Sequence, residues 1–224
     1  MTYSLFNYKR GEMKYDIITV GSAVIDAFLE TDVKEKGNDI CFPGGSKIAI
    51  EKLFFSTGGG GTNTAVAFSK LGFKIGFLGK LGNDEHGDII LRELKKDRVD
   101  FLGERGKEAT GYSVIIDGVN RNRAILTHKG ANDGFMFKDV NVKKLNTKWV
   151  YFSSMIGDSL SMQSRLADWA KKNGIKIAYN VSSYLTKNAD AMVKNILRKA
   201  DILVLNDSEA LDLVPRGNLF EGLH

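Results

Sequence analysis

Cysteine, histidine and proline are all scarce in this sequence. Its 224 residues include one cysteine, three histidines and two prolines. A single cysteine excludes an internal disulfide, and because no histidine lies near it in the sequence we interpret Cys41 as an inert, reduced thiol. His86, His128 and His224 have neither a partner four residues away nor a cysteine pair, so the sequence supports neither a zinc site nor a histidine-based triad.

Long apolar runs are also missing. No uninterrupted run approaches the ~18 residues that a membrane-spanning helix needs, and the amino-terminal MTYSLFNYKRGEMKYD lacks the apolar middle of a signal peptide. We therefore expect a cytoplasmic protein with no membrane partner. The net charge is +5, but lysine and arginine are scattered and not grouped with aromatic residues, so we do not expect a nucleic-acid partner.

Short β-branched runs alternate with helical patterns along most of the chain. The runs that predict strands are 15–20, 74–80, 148–153, 175–179 and 201–205. The patterns that predict helices are 63–71, 85–97, 159–172, 189–199 and 208–213. This alternation is typical of a three-layer α/β fold, with a largely parallel sheet and helices on both faces. Ligands of such folds bind at the carboxyl ends of the strands.

Two segments interrupt the alternation, and each has the pattern of a β-hairpin. In residues 38–55 the runs NDICFP and KIAIEKLFF flank Gly44 and Gly45, and in residues 111–127 GYSVIIDG and NRAILT flank a short turn. We predict that these four arms form a small β-sheet that projects as a lid and keeps water from a reacting site. Apolar residues on this lid suggest a lid-to-lid homodimer: Ile48, Ile50 and Phe54.

Four consecutive glycines precede a helical pattern in residues 56–72, STGGGGTNTAVAFSKLG. They do not form a dinucleotide fingerprint, because Asn63 stands where the third glycine is needed. A P-loop is excluded because the pair Gly79-Lys80 is followed by Leu81 and not by serine or threonine. A flexible loop is one alternative. Close approach of a polar ligand to the backbone explains the glycines better, since a helix start exposes several N–H donors.

The spacing of these residues resembles the PfkB family of carbohydrate kinases, which have the ribokinase-like fold. The residues at the intervals of the family's first signature are Gly58, Gly59, Gly61, Asn63, Ala65, Gly72 and Gly82. The segment GNDEHG, residues 82–87, is similar to the family's Gly-x-Asp-x-x-Gly continuation. Similarity extends upstream to VGSAVID and downstream to THKGAND, YNVSS and NDSEA.

The resemblance covers residues 15–213, which we expect to form a ribokinase-like domain that is incomplete at its carboxyl end. Residues 1–14 are interpreted as an amino-terminal extension. The segment LVPRG is similar to the thrombin-cleavage linker of expression vectors, so we interpret residues 214–224 as a vector-derived tail.

For the sugar, the resemblance implies that Asp26 and Asn63 hydrogen-bond hydroxyl groups while Gly58 and Gly59 let the backbone lie against the ring. A short carboxylate can accept from two neighbouring hydroxyls, which agrees with this role. Taken alone, Asp26 would be read as a helix N-cap or a surface acid. Further residues lie where sugar or sugar-phosphate contacts are found in relatives, although lysine and arginine are mostly solvated: Arg123, Lys129 and Asn132.

For the nucleotide, the resemblance implies ATP carried with Mg²⁺. Asn206 and Glu209 match the family's Asn-x-x-Glu motif, which helps place magnesium, through water, and the nucleotide phosphates. The same two residues would also form an ordinary helix-capping box. Asn180 matches the family's nucleotide-side asparagine, with a turn-forming asparagine as the alternative. No direct metal ligand is assigned.

The implied reaction is transfer of the γ-phosphoryl group of ATP to a hydroxyl of a sugar or nucleoside. In the family the base is the aspartate of a Gly-Ala-Gly-Asp element, which this sequence lacks; Asp88 and Asp158 follow glycines but do not match it. The catalytic residue therefore stays unassigned, and we expect an inactive amino-terminal portion of a kinase. The alternative is a non-catalytic sugar-binding protein. Ribose, fructose, a ketodeoxy acid, a nucleoside and a sugar phosphate all remain open as ligands.

Overall fold

The computed structural model describes residues 13–33, 35–37, 39–118, 123–187 and 189–213. The expected tail and most of the expected amino-terminal extension lie outside the described residues. The strands are β1 (Tyr15–Val20), β2 (Val24–Thr31), β3 (Glu35–Lys36), β4 (Asp39–Ile40), β5 (Ile50–Gly58), β6 (Ile75–Leu78), β7 (Lys80–Gly82), β8 (Val99–Phe101), β9 (Glu104–Gly106), β10 (Gly111–Asp117), β11 (Arg123–His128), β12 (Thr147–Ser153), β13 (Lys176–Asn180) and β14 (Ile202–Val204). The helices are α1 (Gly60–Lys70), α2 (Glu85–Lys96), α3 (Gly157–Lys172), α4 (Ser183–Thr186), α5 (Ala191–Leu197) and α6 (Asp207–Leu213), with short 3-10 turns at Gly130–Asn132, Phe137–Asp139 and Val142–Lys144.

The main sheet has six strands in the order β14-β13-β12-β1-β6-β8, and all neighbouring strands are parallel. Apolar side chains cover both of its faces. On one face, Leu166 of α3 and Ile196 of α5 belong to a buried core cluster with the sheet. On the other, Ala65 of α1 and Ile90 of α2 are buried in a second cluster with Phe77. This confirms the predicted three-layer α/β fold, because each face of the sheet buries its own set of helices.

A second sheet, which we call the lid, has four strands in the order β11-β10-β2-β5. The hairpin expected in residues 111–127 is present as β10 and β11, which pair antiparallel. The strand β2 was not predicted. It lies between β10, to which it is parallel, and β5, to which it is antiparallel. The chain passes from β1 of the main sheet directly into β2 of the lid. Asp26 therefore lies within a lid strand.

The predicted hairpin around Gly44 and Gly45 is wrong. Residues 41–49 form no strand, and the short strand β4 pairs with β3 and not with β5. The second predicted arm does exist as β5, but it extends to Gly58 and pairs with β2. The physical reason lies in the partners: the eight residues of β2 offer a full-length ladder, whereas the run NDICFP contains Pro43, which has no N–H to donate.

Helix α1 begins at Gly60, three residues before the predicted start, so two of the four glycines form its first turn. Its predicted carboxyl end agrees with the structure within a residue. In the part of the chain that the structure describes, no helix combines the length and the apolar character needed to cross a membrane.

Candidate functional site

The glycine run packs against the connection between β1 and β2. Gly59 is the N-cap of α1 and has a φ of 104°, a conformation that residues with side chains rarely adopt. A Cβ atom at Gly59 would lie 2.5 Å from the carbonyl oxygen of Ser22. The same oxygen accepts a hydrogen bond of 3.0 Å from the N–H of Gly61. We expected a ligand to need this space, and the structure gives much of it to the protein's own backbone.

Asp26 lies on β2, directly opposite Ser56 of β5, and is half-buried. Its carboxylate occupies the space above Gly58, where a Cβ atom would overlap Oδ2. Ser56 donates its hydroxyl to the Thr57 carbonyl oxygen at 3.2 Å and not to Asp26. Among the described residues, none donates a hydrogen bond to the Asp26 carboxylate. Its lone pairs are therefore available to the hydroxyl groups of a ligand.

A cavity of about 370 Å³ lies at the carboxyl ends of β1, β12 and β13, where parallel α/β sheets bind their ligands. We call it the cleft. Ser154 directly follows β12, and its hydroxyl accepts from the N–H of Ser182 at 2.6 Å and donates to the Asn180 carbonyl oxygen at 3.1 Å. The residues that line the cleft are Ser22, Lys129, Asn132, Asp133, Ser154, Met155, Ile156, Ser182 and Tyr184.

Lys129 and Asn132 thus both line the cleft, but their side chains differ in availability. Lys129 is exposed. The buried amide of Asn132 is engaged with the backbone of Ala23, accepting from its N–H and donating to its carbonyl oxygen, each at 2.9 Å. Arg123 is exposed at the start of β11, and its Nε donates to Asp117 at 2.7 Å within the lid hairpin.

Asn63 lies in a different place from the residues of the cleft. It is exposed near the start of α1 and lines a separate cavity of about 440 Å³ between α1 and α2, together with Thr57 and Glu93. Thr57 and Glu93 also line a neighbouring cavity of about 540 Å³ that reaches Phe55 on the lid. The structure therefore brings Asp26, Gly58 and Gly59 together, and it does not place Asn63 in the cleft with Lys129 and Asn132.

Of the predicted nucleotide residues, Asn206 and Glu209 hydrogen-bond each other just after β14, and Asn180 lies at the end of the neighbouring strand β13. Asn206 Oδ1 accepts from the N–H of Glu209 at 2.8 Å, and Glu209 Oε2 accepts from the N–H of Asn206 at 3.0 Å. This is the reciprocal capping box that the sequence left open as an alternative. Glu209 is buried, and its Oε1 accepts from Ser183 at 3.2 Å. Asn180 donates to the Val204 carbonyl oxygen at 2.8 Å.

This donor set fits a hydrated magnesium ion better than a directly bound one. Each carboxylate oxygen of Glu209 accepts one hydrogen bond and keeps further lone pairs, which suit contact through water. Direct ligation would compete with the capping box. Within the ranges that the structure describes, no group of three histidine, cysteine or acidic residues is arranged to hold a metal ion.

Neither aspartate considered as a base lies in the cleft. Asp88 is paired with Arg105 at 2.7 Å, and Asp158 lines a separate charged cavity that also contains Lys80. Asp133 does line the cleft and was missed, although it follows Asn132 directly in the motif THKGAND. Ser154 and Ser182 were missed as well. Their position just after β12 and β13 is the signal that could have found them.

The motif GNDEHG anchors the lid to α2 through Asp84, the N-cap of that helix. Its carboxylate accepts from the Gly87 N–H at 2.8 Å and from the Thr110 N–H and hydroxyl at 2.7 and 2.6 Å. Burial works to raise the pKa of Asp84, but the hydrogen bonds from Thr110 and Gly87 outweigh it, and the net pKa lies below the ordinary value of 3.8. The ionised carboxylate thus ties the residue before β10 to α2.

The stabilisation of the fold by the ionised Asp84 carboxylate should be lost in acid. Because the folded-state pKa of Asp84 is depressed, its stabilisation is fully present above pH 3.8 and disappears as the pH falls through the lower folded value. We expect the difference in melting temperature between the wild type and Asp84→Asn to be clear at about pH 6 and to narrow at about pH 3. Thermal unfolding followed by circular dichroism measures both. A difference of the same size at both pH values would contradict this role of the carboxylate.

Comparison with known proteins agrees with this fold. The profile of the pfkB family carbohydrate kinases matches residues 14–218. This chain belongs to that family. A 5-dehydro-2-deoxygluconokinase of Clostridium perfringens is 29% identical over an alignment of 231 positions, which covers 96% of this chain and 63% of that protein. A ribokinase of Arabidopsis thaliana is 27% identical over an alignment of 203 positions, which covers 86% of this chain and 50% of that protein. The chain thus spans less than two thirds of the length of these relatives.

Solved structures give the same fold. Adenosine kinase from Sinorhizobium meliloti superposes with a TM-score of 0.74 at 22% identity, over 94% of this chain and 70% of that one. Arabidopsis thaliana ribokinase complexed with ribose and ATP superposes with a TM-score of 0.71 at 25% identity, over 90% of this chain and 63% of that one.

Proposed function

We propose that this chain is the sugar-binding portion of a kinase that transfers the γ-phosphoryl group of ATP to a hydroxyl of a sugar or sugar-like substrate. One observation carries the proposal: the half-buried carboxylate of Asp26 lies over Gly58 with its lone pairs free of donors from the described residues. A polar ligand with neighbouring hydroxyls would satisfy it. Membership in a family of carbohydrate kinases supports the same ligand class.

The residues divide into two roles under this proposal. Asp26 would hold sugar hydroxyls, and Gly58 and Gly59 would leave room for the Asp26 carboxylate and the Ser22 carbonyl that shape this side of the site. Exposed Lys129 in the cleft would meet a phosphate or acidic group. Roles for Asn63 and Arg123 stay predictions. On the nucleotide side, Asn180, Asn206 and Glu209 would contact phosphates and water bound to magnesium. The ion would neutralise charge on the phosphates when ATP is bound.

We propose that this chain alone does not complete the reaction, because no aspartate matches the family's base element. The predicted result is sugar binding without turnover: ADP formation with each candidate sugar should stay at the level seen without sugar. A coupled ADP assay with D-ribose, D-fructose, adenosine and 5-dehydro-2-deoxygluconate measures this. Sugar-dependent ADP formation by this chain would show that its own residues supply the base.

The alternative is a non-catalytic sugar-binding protein, and binding of MgATP separates the two. The presence of Asn206 and Glu209 at the positions of the family's Asn-x-x-Glu motif favours the kinase portion. Calorimetry with ATP in the presence and absence of Mg²⁺ is the discriminating measurement. Heat that appears only with Mg²⁺ and is lost in Glu209→Ala supports the kinase. Sugar binding with no heat from MgATP supports the alternative. We further propose a cytoplasmic location, where ATP is available.

The lid is proposed as a homodimer interface. Phe28 and Phe54 stack on one of its faces with ring centroids 4.6 Å apart, and Phe54 is 51% exposed. Ile125, which shares that face through its pairing with β10, is also exposed. Exposed apolar groups of this kind are typical of protein interfaces. Ile50 lies on the opposite face, and Ile48 precedes the strand.

Replacing Phe54 with serine should therefore shift the protein from dimer to monomer. The expected weakening of the dimer is about tenfold or more, because an aromatic side chain at the centre of an interface contributes much of the binding energy. Light scattering coupled to gel filtration gives the mass. Leu71→Ser is the matched control, since Leu71 is also exposed but lies at the end of α1, away from the lid. A monomeric wild type would contradict the interface.

A further inference from the structure

The side chain of Asn132 stands where connections of the lid meet. It is 4% exposed, and its two hydrogen bonds to Ala23, each 2.9 Å long, join residues 109 positions apart in the sequence. Its Nδ2 also donates to the Lys129 carbonyl oxygen at 3.1 Å. Ala23 directly precedes β2, and Lys129 directly follows β11. One amide therefore holds together the first residue before the lid and the first residue after it.

The connection that leads into β10 also lies against the side-chain amide of Asn132. Gly111 begins β10, and a Cβ atom at this position would overlap Asn132 Nδ2. The residue next to Asn132 repeats the attachment through its backbone, since the N–H of Ala131 donates to the Ala109 carbonyl oxygen at 2.8 Å. The entries to β2 and β10 and the exit from β11 are thus all held by two buried neighbours, Ala131 and Asn132.

The backbone of Asn132 is anchored in the opposite direction, to the main domain. Its carbonyl oxygen accepts from the hydroxyl of Ser159 at 2.5 Å, and this fully buried serine lies in the first turn of α3. The hydroxyl of Ser159 also accepts from the N–H of Phe135 at 3.0 Å. Asn132 therefore connects a helix that packs on the six-stranded sheet with the base of the lid.

We propose that Asn132 is a positioning residue that sets the orientation of the lid relative to the main sheet. Ala23 directly precedes β2 and lies three residues before Asp26. By holding Ala23, Asn132 fixes the distance of the Asp26 carboxylate from Gly58. Its amide is consumed by backbone groups, so it acts through Ala23 and does not contact the sugar. The link to sugar binding rests on the proposed function, whereas the effect on the lid does not.

Hydrogen exchange measured by mass spectrometry tests this on the chain as it is. Asn132→Leu removes the donor and the acceptor, and Asn132→Asp keeps an acceptor for the Ala23 N–H but loses the donor to its carbonyl oxygen. We expect exchange in β2 and β10 to accelerate by about tenfold in the leucine variant and by less in the aspartate variant, with β12 and β13 unchanged. Asn141→Ala is the control, since Asn141 is exposed and its side chain, among the described residues, accepts only a local hydrogen bond from the Lys143 N–H.

Each outcome decides the proposal. Faster exchange confined to the lid, together with weaker binding of the sugar that the wild type binds, supports it. Equal acceleration in lid and main sheet would reduce Asn132 to a general stability contact and overturn the proposal, as would an unchanged lid. If the leucine variant does not fold, the aspartate variant is measured alone by the same criteria. If exchange in the lid is faster in the variant but the wild-type protein binds no sugar, the role of Asn132 in the lid stands and the proposed function is rejected.

Discussion

Asp26→Asn is expected to weaken sugar binding by about 100-fold, the loss that follows when a hydrogen-bonded charged acceptor is replaced by a neutral group. The carboxylate offers acceptor positions to two hydroxyls, and the amide replaces one of its oxygens with a donor. The change preserves size, so Gly58 still leaves room for the side chain. Calorimetric titration with the sugar that binds the wild type most tightly gives the ratio of dissociation constants.

Glu30→Gln is the matched control for this variant. Glu30 lies on the same strand and the same face as Asp26, but its carboxylate pairs with Lys52 and has no contact with the glycine run. We expect its affinity for sugar to stay within about twofold of the wild type, because exposed ion pairs contribute little. Equal affinities for the wild type and Asp26→Asn would remove Asp26 from the sugar site.

Gly59→Ala is expected to lower the melting temperature by about 10 °C, because a side chain at a φ of 104° is strained and its Cβ would meet the Ser22 carbonyl oxygen. Relief of that contact would displace the β1–β2 connection or the first turn of α1. Either shift separates Gly58 from Asp26, so sugar binding should weaken in the same variant. Differential scanning calorimetry and titration measure the two effects.

Gly72→Ala is the control that separates the cost of the positive φ from the cost of the steric contact with Ser22. Gly72 has a φ of 93° just beyond the carboxyl end of α1, and no atom lies within 4 Å of the position of its Cβ. It should show only the smaller cost of the backbone conformation, about 1 kcal/mol. If Gly59→Ala were no more destabilising than Gly72→Ala, the packing of the glycine run against Ser22 would not matter for stability.

The sequence predicts five of the six strands of the main sheet because the information is local, whereas the three-residue edge strand β8 was not predicted. The runs that form β1, β12 and β13 are apolar and lie between helical patterns, and such alternation has few solutions other than a parallel sheet. The pairing of β10 with β11 was predictable for the same reason, since the two strands are close together in the sequence. The predicted start of α1 was late because glycine is a poor helix former, whereas here the first turn is fixed by the contact of Gly61 with Ser22.

The remaining parts of the site depend on contacts between distant residues. Strand β2 is set by its pairing with β5 and β10, and a false hairpin was predicted because the turn pair Gly44-Gly45 gave a strong local signal without a partner strand. Asn132 was assigned to the ligand because it lies where sugar or sugar-phosphate contacts are found in relatives. Its hydrogen bonds to Ala23, across 109 positions, leave no trace in the local pattern.

The most direct test of the sugar site is a nitrogen–proton NMR titration of the wild-type chain, without ATP, with each of the four candidate sugars. We predict that at least one sugar shifts the backbone resonances of Asp26, Gly58 and Gly59 and leaves Val66 and Lys70, in the groove between α1 and α2, unchanged. Shifts centred on that groove, or a folded protein whose spectrum none of the sugars perturbs, would contradict the assignment of this chain as the sugar-binding portion of a kinase.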